Sequence, residues 1–204
     1  MKGVRALKKQ KAKRQQILDA AVRVIAENGY YRAQVSRIAK EAGVADGTIY
    51  LYFNNKEDLL VSLFAETMGS FVERIKVEMH PCTGAEAKLG ALVRVHLGHL
   101  AERPHLAVLT QLELRQSQAT LRSKISKILE PYLSLIEQIV ELGIEEHVFH
   151  AEIDKKLARQ MVFGTIDQVV TSWVMGNMET DLPAQANRIQ RMLAGAFRYQ
   201  NTFV

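Results

Sequence analysis

The segment at residues 47–53, GTIYLYF, carries side chains of the types that contact nucleic acids. Gly47 has no Cβ, so the backbone there is able to approach another surface closely. Thr48 offers a hydroxyl to a phosphate and a methyl group to a thymine. Tyr50 and Tyr52 are rigid rings that can hydrogen-bond to phosphates or base edges, although packing within a small domain would also account for them. From these residue types alone, contact with DNA and packing within the domain are both open interpretations.

Four polar residues stand near this segment, at the predicted starts of helices. Lys56 opens a helix, where its ammonium group and the positive helix end both face a phosphate. Gln34 and Ser36 stand at another helix start and are expected to face phosphates as well. Asp46 is an acid beside DNA, acceptable either as a helix cap or as an acceptor from a cytosine amino group. We favour the cap, because a carboxylate there accepts backbone N–H groups.

Three short helices are predicted to position these residues. The first covers residues 14–28 and has an apolar stripe at three- and four-residue spacing. The second covers residues 35–42, and Gly43 allows the sharp turn after it. The third contains GTIYLYF, with Ile49 and Phe53 pointing into the three-helix core. Two short helices joined by a glycine-containing turn are typical of a helix-turn-helix.

After residue 56 the chain continues as amphipathic helices without a flexible linker. Gly143 is predicted to end the longest of them, and Asp154 to cap the next. The predicted helices are 56–80, 85–101, a short one from Pro104, 118–142, one from Asp154 to about 178, and 184–199. The expected fold class is all-α with about nine helices, a small N-terminal head followed by a larger body.

Positive charge is concentrated at the N-terminus. Residues 1–14 hold seven basic and no acidic side chains, which leaves 20 of the 27 basic residues against 22 acidic ones elsewhere. A basic arm leading into a helix indicates contact with a polyanion, most simply a nucleic-acid backbone, although a solvated tail is the alternative. The predicted organisation is a basic arm at 1–13, a helix-turn-helix domain at 14–58 and a larger domain at 59–204.

The sequence lacks the residue patterns that are typical of several functional classes. The single cysteine, Cys82, excludes an intrachain disulfide, and no Cys/His spacing is typical of a zinc site. His96 and His99 are three apart on a helix, but no third ligand lies nearby, so we predict no metal. The sequence contains no pair of a nucleophile and a general base and no phosphate-binding loop, so we do not expect an enzyme. Without a signal peptide or an apolar run of about 18 residues, we expect a cytoplasmic protein that contacts no membrane.

Residues 17–60 closely resemble the DNA-binding domain of the TetR family of transcriptional repressors. The shared features are the stripe of helix 1, then IAKEAGV, GTIYLYF and KEDLL, in the family's order and spacing. Two positions depart from the usual pattern: QVS stands where the family often has Thr, and Ala45 stands where it often has Ser. The resemblance leaves open which operator sequence is bound. The residues that it implies to contact DNA are Gln34, Ser36, Asp46, Gly47, Thr48, Tyr50, Tyr52 and Lys56.

Two stretches of the body, LAVLTQLELRQS and LARQMVFGTIDQVVTSWVM, resemble TetR-type regulators of fatty-acid degradation. That resemblance implies a long-chain acyl-CoA as the effector, with no cofactor. Apolar residues expected to line a tunnel for the acyl chain, each of which could equally be plain core, are Phe64, Met68, Phe71, Leu89, Leu92, Val93, Leu97, Leu109, Leu133, Phe163 and Val170. Candidate partners of the CoA phosphates are Arg103, Arg115, Arg122, Lys124 and Arg159.

The family resemblance also implies a homodimer. The last two helices are expected to pack against their copy across a two-fold axis, so that the two heads fit a palindromic DNA operator. Their apolar residues are Phe163, Val169, Val170, Trp173, Val174, Ile189, Met192, Leu193 and Phe197. Two alternatives remain open at this point: a repressor that senses a drug-like hydrophobe, and an acyl-CoA-handling helical enzyme or carrier.

Overall fold

The computed structural model describes the backbone of residues 2–113 and 119–198, and the side chains of 7–112 and 119–198. Within these residues every regular element is helical, which confirms the all-α prediction. The elements are α1 (Lys2–Asn28), α2 (Val35–Glu41), α3 (Asp46–Ile49), α4 (Lys56–Met79), α5 (Ala85–Ala101), α6 (Pro104–Val108), a π-helical segment (Leu109–Glu113), α7 (Ala119–Glu145), α8 (Lys155–Met175), a 3-10 turn (Pro183–Gln185) and α9 (Ala186–Phe197).

The helices form a small head and a larger body that share α4. Helices α1 to α3 pack through Ile17, Ile25, Ile38 and Ile49, all at most 2% exposed. In the body, α4, α5, α7 and α8 pack on one another, and α9 lies against α5 and α8. Helix α6 and the π-helical segment contact both α1 and α8, so they connect the head to the body.

Helix α1 begins twelve residues earlier than predicted. The expected start at Arg14 was wrong, because the helix begins at Lys2. The prediction followed the apolar stripe, and that stripe ends where burial ends. Residues 7–12 are exposed, yet the Leu, Lys, Gln and Ala found there are all good helix formers. The basic arm is therefore a helical extension of α1.

Gly143 does not end its helix, contrary to the prediction. Helix α7 continues to Glu145, and the residue with a left-handed backbone is His147, at φ 57°. Gly143 is needed for packing instead: a Cβ at this position would lie 2.0 Å from Cδ2 of Phe149. The ring of Phe149, which is 3% exposed, lies against the helix backbone there.

The other predicted helix ends differ from the observed ones by small amounts. Asp154 caps α8 as predicted, with its carboxylate accepting from the backbone N–H groups of Lys156 and Leu157 at 2.8 and 3.1 Å. Helix α8 ends at Met175, because Gly176 and two residues with positive φ follow it. Among the described residues, no helix is both long and apolar enough to cross a membrane.

Candidate DNA interface and ligand cavity

The head presents α2 and α3 on one side, joined by a turn that requires glycine. Gly43 has φ 59°, and the Nε2 of Gln16 donates to the carbonyl of Ala42 at 2.7 Å, which fixes α1 to this turn. Ile49 and Phe53 are each 2% exposed, which confirms that they point into the head core. The guanidinium of Arg14 lies 5.0 Å from the centre of the Phe53 ring and pairs with Glu66 of α4.

Asp46 does not cap α3, and that prediction was wrong. The N-cap is Ala45, whose backbone is extended at φ −70° and ψ 148°, and it makes no side-chain cap bond. Asp46 is already the first helical residue and its side chain is exposed. The predicted cap was one position too late. Alanine has no side-chain acceptor for a backbone N–H, so the sequence does not mark Ala45 as a cap. An acidic side chain in the first turn still interacts favourably with the positive helix end.

The predicted DNA contacts differ in their exposure. Gln34, at the N-cap of α2, and Ser36 are exposed, as are Asp46 and Gly47. Tyr50 is 57% exposed, whereas Thr48 and Tyr52 are half-buried. Tyr52 also packs against the head core, so only part of its ring faces outward. A Cβ at Gly47 would meet nothing within 4 Å, so packing inside the chain does not require glycine there.

Lys56 opens α4 as predicted, beside the N-cap Asn55, whose side chain accepts from the backbone N–H of Asp58 at 2.8 Å. The Nζ of Lys56 donates to the carbonyl of Tyr31 at 3.2 Å and lies 4.7 Å from the centre of the Tyr30 ring. Partial burial lowers the pKa of Lys56. These contacts hold the ammonium group at the head surface, at the start of α4.

A cavity of about 340 Å³ lies in the body between α4, α5, α6, the π-helical segment, α7 and α8. This volume falls in the range of small-molecule sites. One face of α4 forms a wall with Phe64, Thr67, Met68 and Phe71, which follow the i, i+3, i+4, i+7 spacing of one helix face. Phe163 of α8 lines the cavity as well. Four of the eleven apolar residues assigned to the tunnel therefore reach this cavity.

The other seven assigned residues do not line the cavity. Six of them are packed in the core, each at most 1% exposed: Leu89, Leu92, Val93, Leu97, Leu109 and Val170. Leu133 is only partly buried and packs on the outside of that core. The physical reason is that an apolar residue on a buried helix face contacts either a neighbour or a void, and sequence spacing does not distinguish these.

The cations predicted to hold phosphates are dispersed over the body. Arg103 and Arg122 are exposed. The guanidinium of Arg159 lies 2.9 Å from Glu137 and 3.5 Å from Glu130, so it is already neutralised. Lys124 donates to Glu57, in the first turn of α4, at 2.7 Å. Arg115 lies outside the described residues.

The cavity also contains polar groups that sequence reasoning did not assign to the ligand. His96 shares a hydrogen bond of 2.8 Å with the hydroxyl of Tyr132, and both side chains are buried. The ring of Phe71 lies 5.2 Å from His96 and 5.4 Å from Tyr132. Burial, and secondarily the neighbouring His99, lowers the pKa of His96 to about 3, so this imidazole is neutral at physiological pH. Burial raises the pKa of Tyr132.

His99 lines the same cavity one turn further along α5. It is 4% exposed, and its ring lies 4.9 Å from that of Phe71. Among the described residues, neither ring nitrogen of His99 has a hydrogen-bond partner. Its pKa is lowered to about 4, first by burial and then by the charges of Arg103 and Arg74.

A signal for this polar lining was present in the sequence. His96 and His99 interrupt the apolar face of α5, as Thr67 does on α4, and we considered the histidines only as metal ligands. Within the described part of the chain, no group of three or more His, Cys, Asp or Glu residues is placed to hold a metal. The remaining lining residues, also not assigned from sequence, are Leu100, Leu106, Thr110, Gln111, Ile125, Leu129 and Asp167.

The two cavity histidines make stability depend on pH. Their folded pKa values of about 3 and about 4 lie below the ordinary 6.5, so between pH 6.5 and 4 the unfolded chain binds more protons than the folded one. The free energy of unfolding should therefore fall on acidification, by up to about 1.4 kcal/mol per pH unit for each histidine. Urea unfolding of wild type and His99→Leu at pH 6.5, 5.5 and 4.5 measures this.

The wild type should lose roughly 1–2 kcal/mol more than His99→Leu over that range, because the variant lacks one of the two groups. His105→Leu, at an exposed position of α6, serves as the control for loss of a surface histidine. Parallel pH profiles for wild type and His99→Leu would show that His99 is protonated as easily in the folded chain as in the unfolded one.

Structural contacts connect the cavity walls to the head. Leu106, Thr110 and Gln111 line the cavity, and the elements that carry them, α6 and the π-helical segment, contact α1. Ile125 of α7 lines the cavity beside Lys124, which binds Glu57 at the start of α4. A change in cavity volume therefore acts on segments that hold both α1 and the first turn of α4.

The sequence matches two family descriptions that together span head and body. Residues 17–63 match the N-terminal domain of the bacterial regulatory proteins of the tetR family, and residues 64–196 match the C-terminal region of the YsiA-like proteins. The chain belongs to the TetR family. It is 51% identical over 187 residues to the fatty acid metabolism regulator protein of Bacillus subtilis, covering 92% of this chain and 96% of that one.

Two solved structures of the TetR family show how far the similarity extends. The fatty acid degradation regulator FadR of Bacillus halodurans is 54% identical, with a TM-score of 0.87 over 90% of this chain and 99% of that one. FadR of Bacillus subtilis in complex with stearoyl-CoA is 50% identical, with the same TM-score and coverage. These TetR-family relatives are transcription regulators and not enzymes.

Proposed function

We propose that this protein is a dimeric transcriptional repressor that binds a palindromic operator, releases it on binding a long-chain acyl-CoA, and so controls genes of fatty-acid degradation. The observation that carries this proposal is the apolar cavity whose walls also contact the head. Its binding of an acyl-CoA is supported by the similar FadR of Bacillus subtilis, which was solved with stearoyl-CoA.

DNA binding is supported by the exposed surface around α3. Gly47 has open space where a Cβ would lie, so its small size serves an approach from outside the chain. Gln34, Ser36 and Lys56 lie at the starts of α2 and α4. Thr48 lies in α3, and Tyr50 and Tyr52 directly follow it. We assign all six to phosphate and base contacts. The basic extension of α1 supplies positive charge to the same head.

Dimerisation is supported by apolar side chains left exposed on α8 and α9. Leu157, Met161, Met175 and Met192 are 40–74% exposed. Most of the residues named for this interface from sequence, including Trp173 and Phe197, are buried within the single chain instead. A two-fold interface over this face would place two heads for a palindromic operator, with half-sites about one DNA turn apart.

Release follows from a difference in affinity for two conformations. A ligand that fills the cavity pushes on Phe64 and Phe71 of α4 and on Thr110 of the π-helical segment, and these elements hold the head. A tenfold loss of operator affinity requires a differential binding free energy of only about 1.4 kcal/mol. Two copies that rotate their heads apart no longer match the spacing of the half-sites.

The proposal is tested by operator binding followed by fluorescence anisotropy, with an operator selected by the protein from random-sequence DNA. Stearoyl-CoA should raise the apparent Kd for the operator at least tenfold, whereas free CoA should leave it unchanged. If the protein retained the operator at saturating stearoyl-CoA, the long-chain acyl-CoA would not be the effector. Release by a polycyclic drug in its place would favour a drug sensor.

A further inference from the structure

The cavity wall holds one buried polar side chain that the proposed function does not yet use. His99 is 4% exposed, lines the cavity, and has no hydrogen-bond partner for either ring nitrogen within the described residues. A neutral imidazole carries one N–H donor and one acceptor. Leaving a buried donor unsatisfied carries a cost in free energy. A ligand atom that accepts a hydrogen bond in this place would recover that cost.

Its lack of a partner distinguishes His99 from three other polar residues of the cavity, His96, Tyr132 and Thr110. His96 already shares its bond with Tyr132, and the hydroxyl of Thr110 donates to the carbonyls of Leu106 and Ala107 at 3.0 and 3.2 Å. His99 thus remains able to turn a free N–H toward a ligand.

His99 also lies where the apolar cavity approaches charged residues. Its ring packs on Phe71, and the charges of Arg103 and of the paired Arg74 and Glu102 act on it. Arg103 is exposed, four positions further along the chain. In an acyl-CoA the thioester occupies the equivalent boundary, because it joins the apolar chain to the polar, anionic part of the molecule.

We propose, on the basis of the proposed function, that His99 recognises the thioester. Its ring N–H donates a hydrogen bond to the carbonyl oxygen of the bound acyl-CoA. His99 is then a specificity-determining residue that separates acyl thioesters from other long-chain compounds of equal apolar length. The acyl chain would lie toward Phe64 and Phe163, and the pantetheine arm toward Arg103.

The experiment compares two ligands that differ only in the carbonyl group. Stearoyl-CoA has the thioester oxygen, and S-octadecyl-CoA is the thioether that lacks it. For each protein, the concentration of each ligand that releases half of the labelled operator is measured, and the ratio of the two concentrations is the readout. Because the ratio is taken within one protein, changes in operator affinity or in overall stability cancel.

Wild type should require about tenfold more thioether than thioester, the effect of one hydrogen bond in a buried site. His99→Leu should bring the ratio close to one, and His99→Gln, which keeps an N–H donor, should restore part of the preference. Thr110→Val is the matched control, because it removes a cavity hydroxyl that is already bonded to the carbonyls of Leu106 and Ala107, and it should keep the wild-type ratio.

A wild-type ratio near one, or a preference that persists in His99→Leu, would overturn the role of His99 while leaving the proposed function intact. If neither CoA compound releases the operator, the proposed function itself fails. Should His99→Leu not fold, infrared spectroscopy of wild type with carbonyl-13C stearoyl-CoA decides. The reference is the carbonyl stretch of a simple carbonyl-13C thioester dissolved in alkane. A lower frequency in the bound stearoyl-CoA supports the hydrogen bond, and an equal frequency excludes it.

Discussion

Deleting residues 2–13 should weaken operator binding by several orders of magnitude at low salt. The segment carries six of the chain's basic residues and no acidic one, while the rest of the head is nearly neutral. Each phosphate contact contributes about 0.9 to the slope of log Kd against log salt. If half of these cations contact DNA in each subunit of a dimer, the slope should fall by about five units.

The loss should be greatest at low salt and should shrink towards 1 M salt, because counterion release contributes least there. Operator and random DNA should weaken by similar factors, since phosphate contacts do not read sequence. Anisotropy titrations from 0.05 to 0.5 M NaCl measure both effects.

A second variant separates the contribution of the positive charge to DNA binding from that of the helical extension. Replacing the six lysines and arginines of residues 2–13 with glutamine keeps the helical extension of α1, which simple deletion removes. Both variants should show the same reduced salt slope. A slope equal to that of wild type in the glutamine variant would assign the arm to the solvated surface.

The potency of acyl-CoAs in operator release should increase steeply with acyl-chain length. Each methylene group buried in the cavity contributes about 0.8 kcal/mol, so two added carbons correspond to roughly a tenfold increase in affinity. The cavity of about 340 Å³ is lined mainly by apolar side chains, which supply this burial. Butyryl-CoA should release little operator, while palmitoyl- and stearoyl-CoA should release it at concentrations lower by several orders of magnitude.

The increase should level off once the cavity is full, because further methylene groups then remain in water. The measurement is a series of titrations with saturated acyl-CoAs of 4 to 20 carbons, each below its critical micelle concentration, with free CoA as the control. Equal potency across the series would contradict burial of the chain in this cavity and would indicate that the CoA part alone is recognised.

The head was predictable from sequence because its signals are local. The stripe of α1, the turn at Gly43 and the inward residues Ile49 and Phe53 lie within a few turns of one another. Where a local signal was absent, the prediction failed. Ala45 gives no sign of being a cap, and the exposed residues 7–12 carry no apolar stripe to mark a helix.

The cavity was predictable only in part, because lining and core residues have the same side chains. Phe71 lines the cavity whereas Leu92 is packed in the core, yet both belong to apolar helix faces. Their difference depends on how six elements meet, which spacing along one helix does not encode. The same holds for Gly143, where the ring of Phe149, six residues later, sets the requirement.

If the proposed function is correct, the operator and the acyl-CoA exclude one another on the same dimer. Native mass spectrometry of the protein mixed with its operator and a half-saturating amount of stearoyl-CoA measures this directly, because each complex is resolved by mass. We expect two main species, a dimer with DNA and no ligand, and a dimer with ligand and no DNA. A dominant species that carries DNA and stearoyl-CoA together would contradict it.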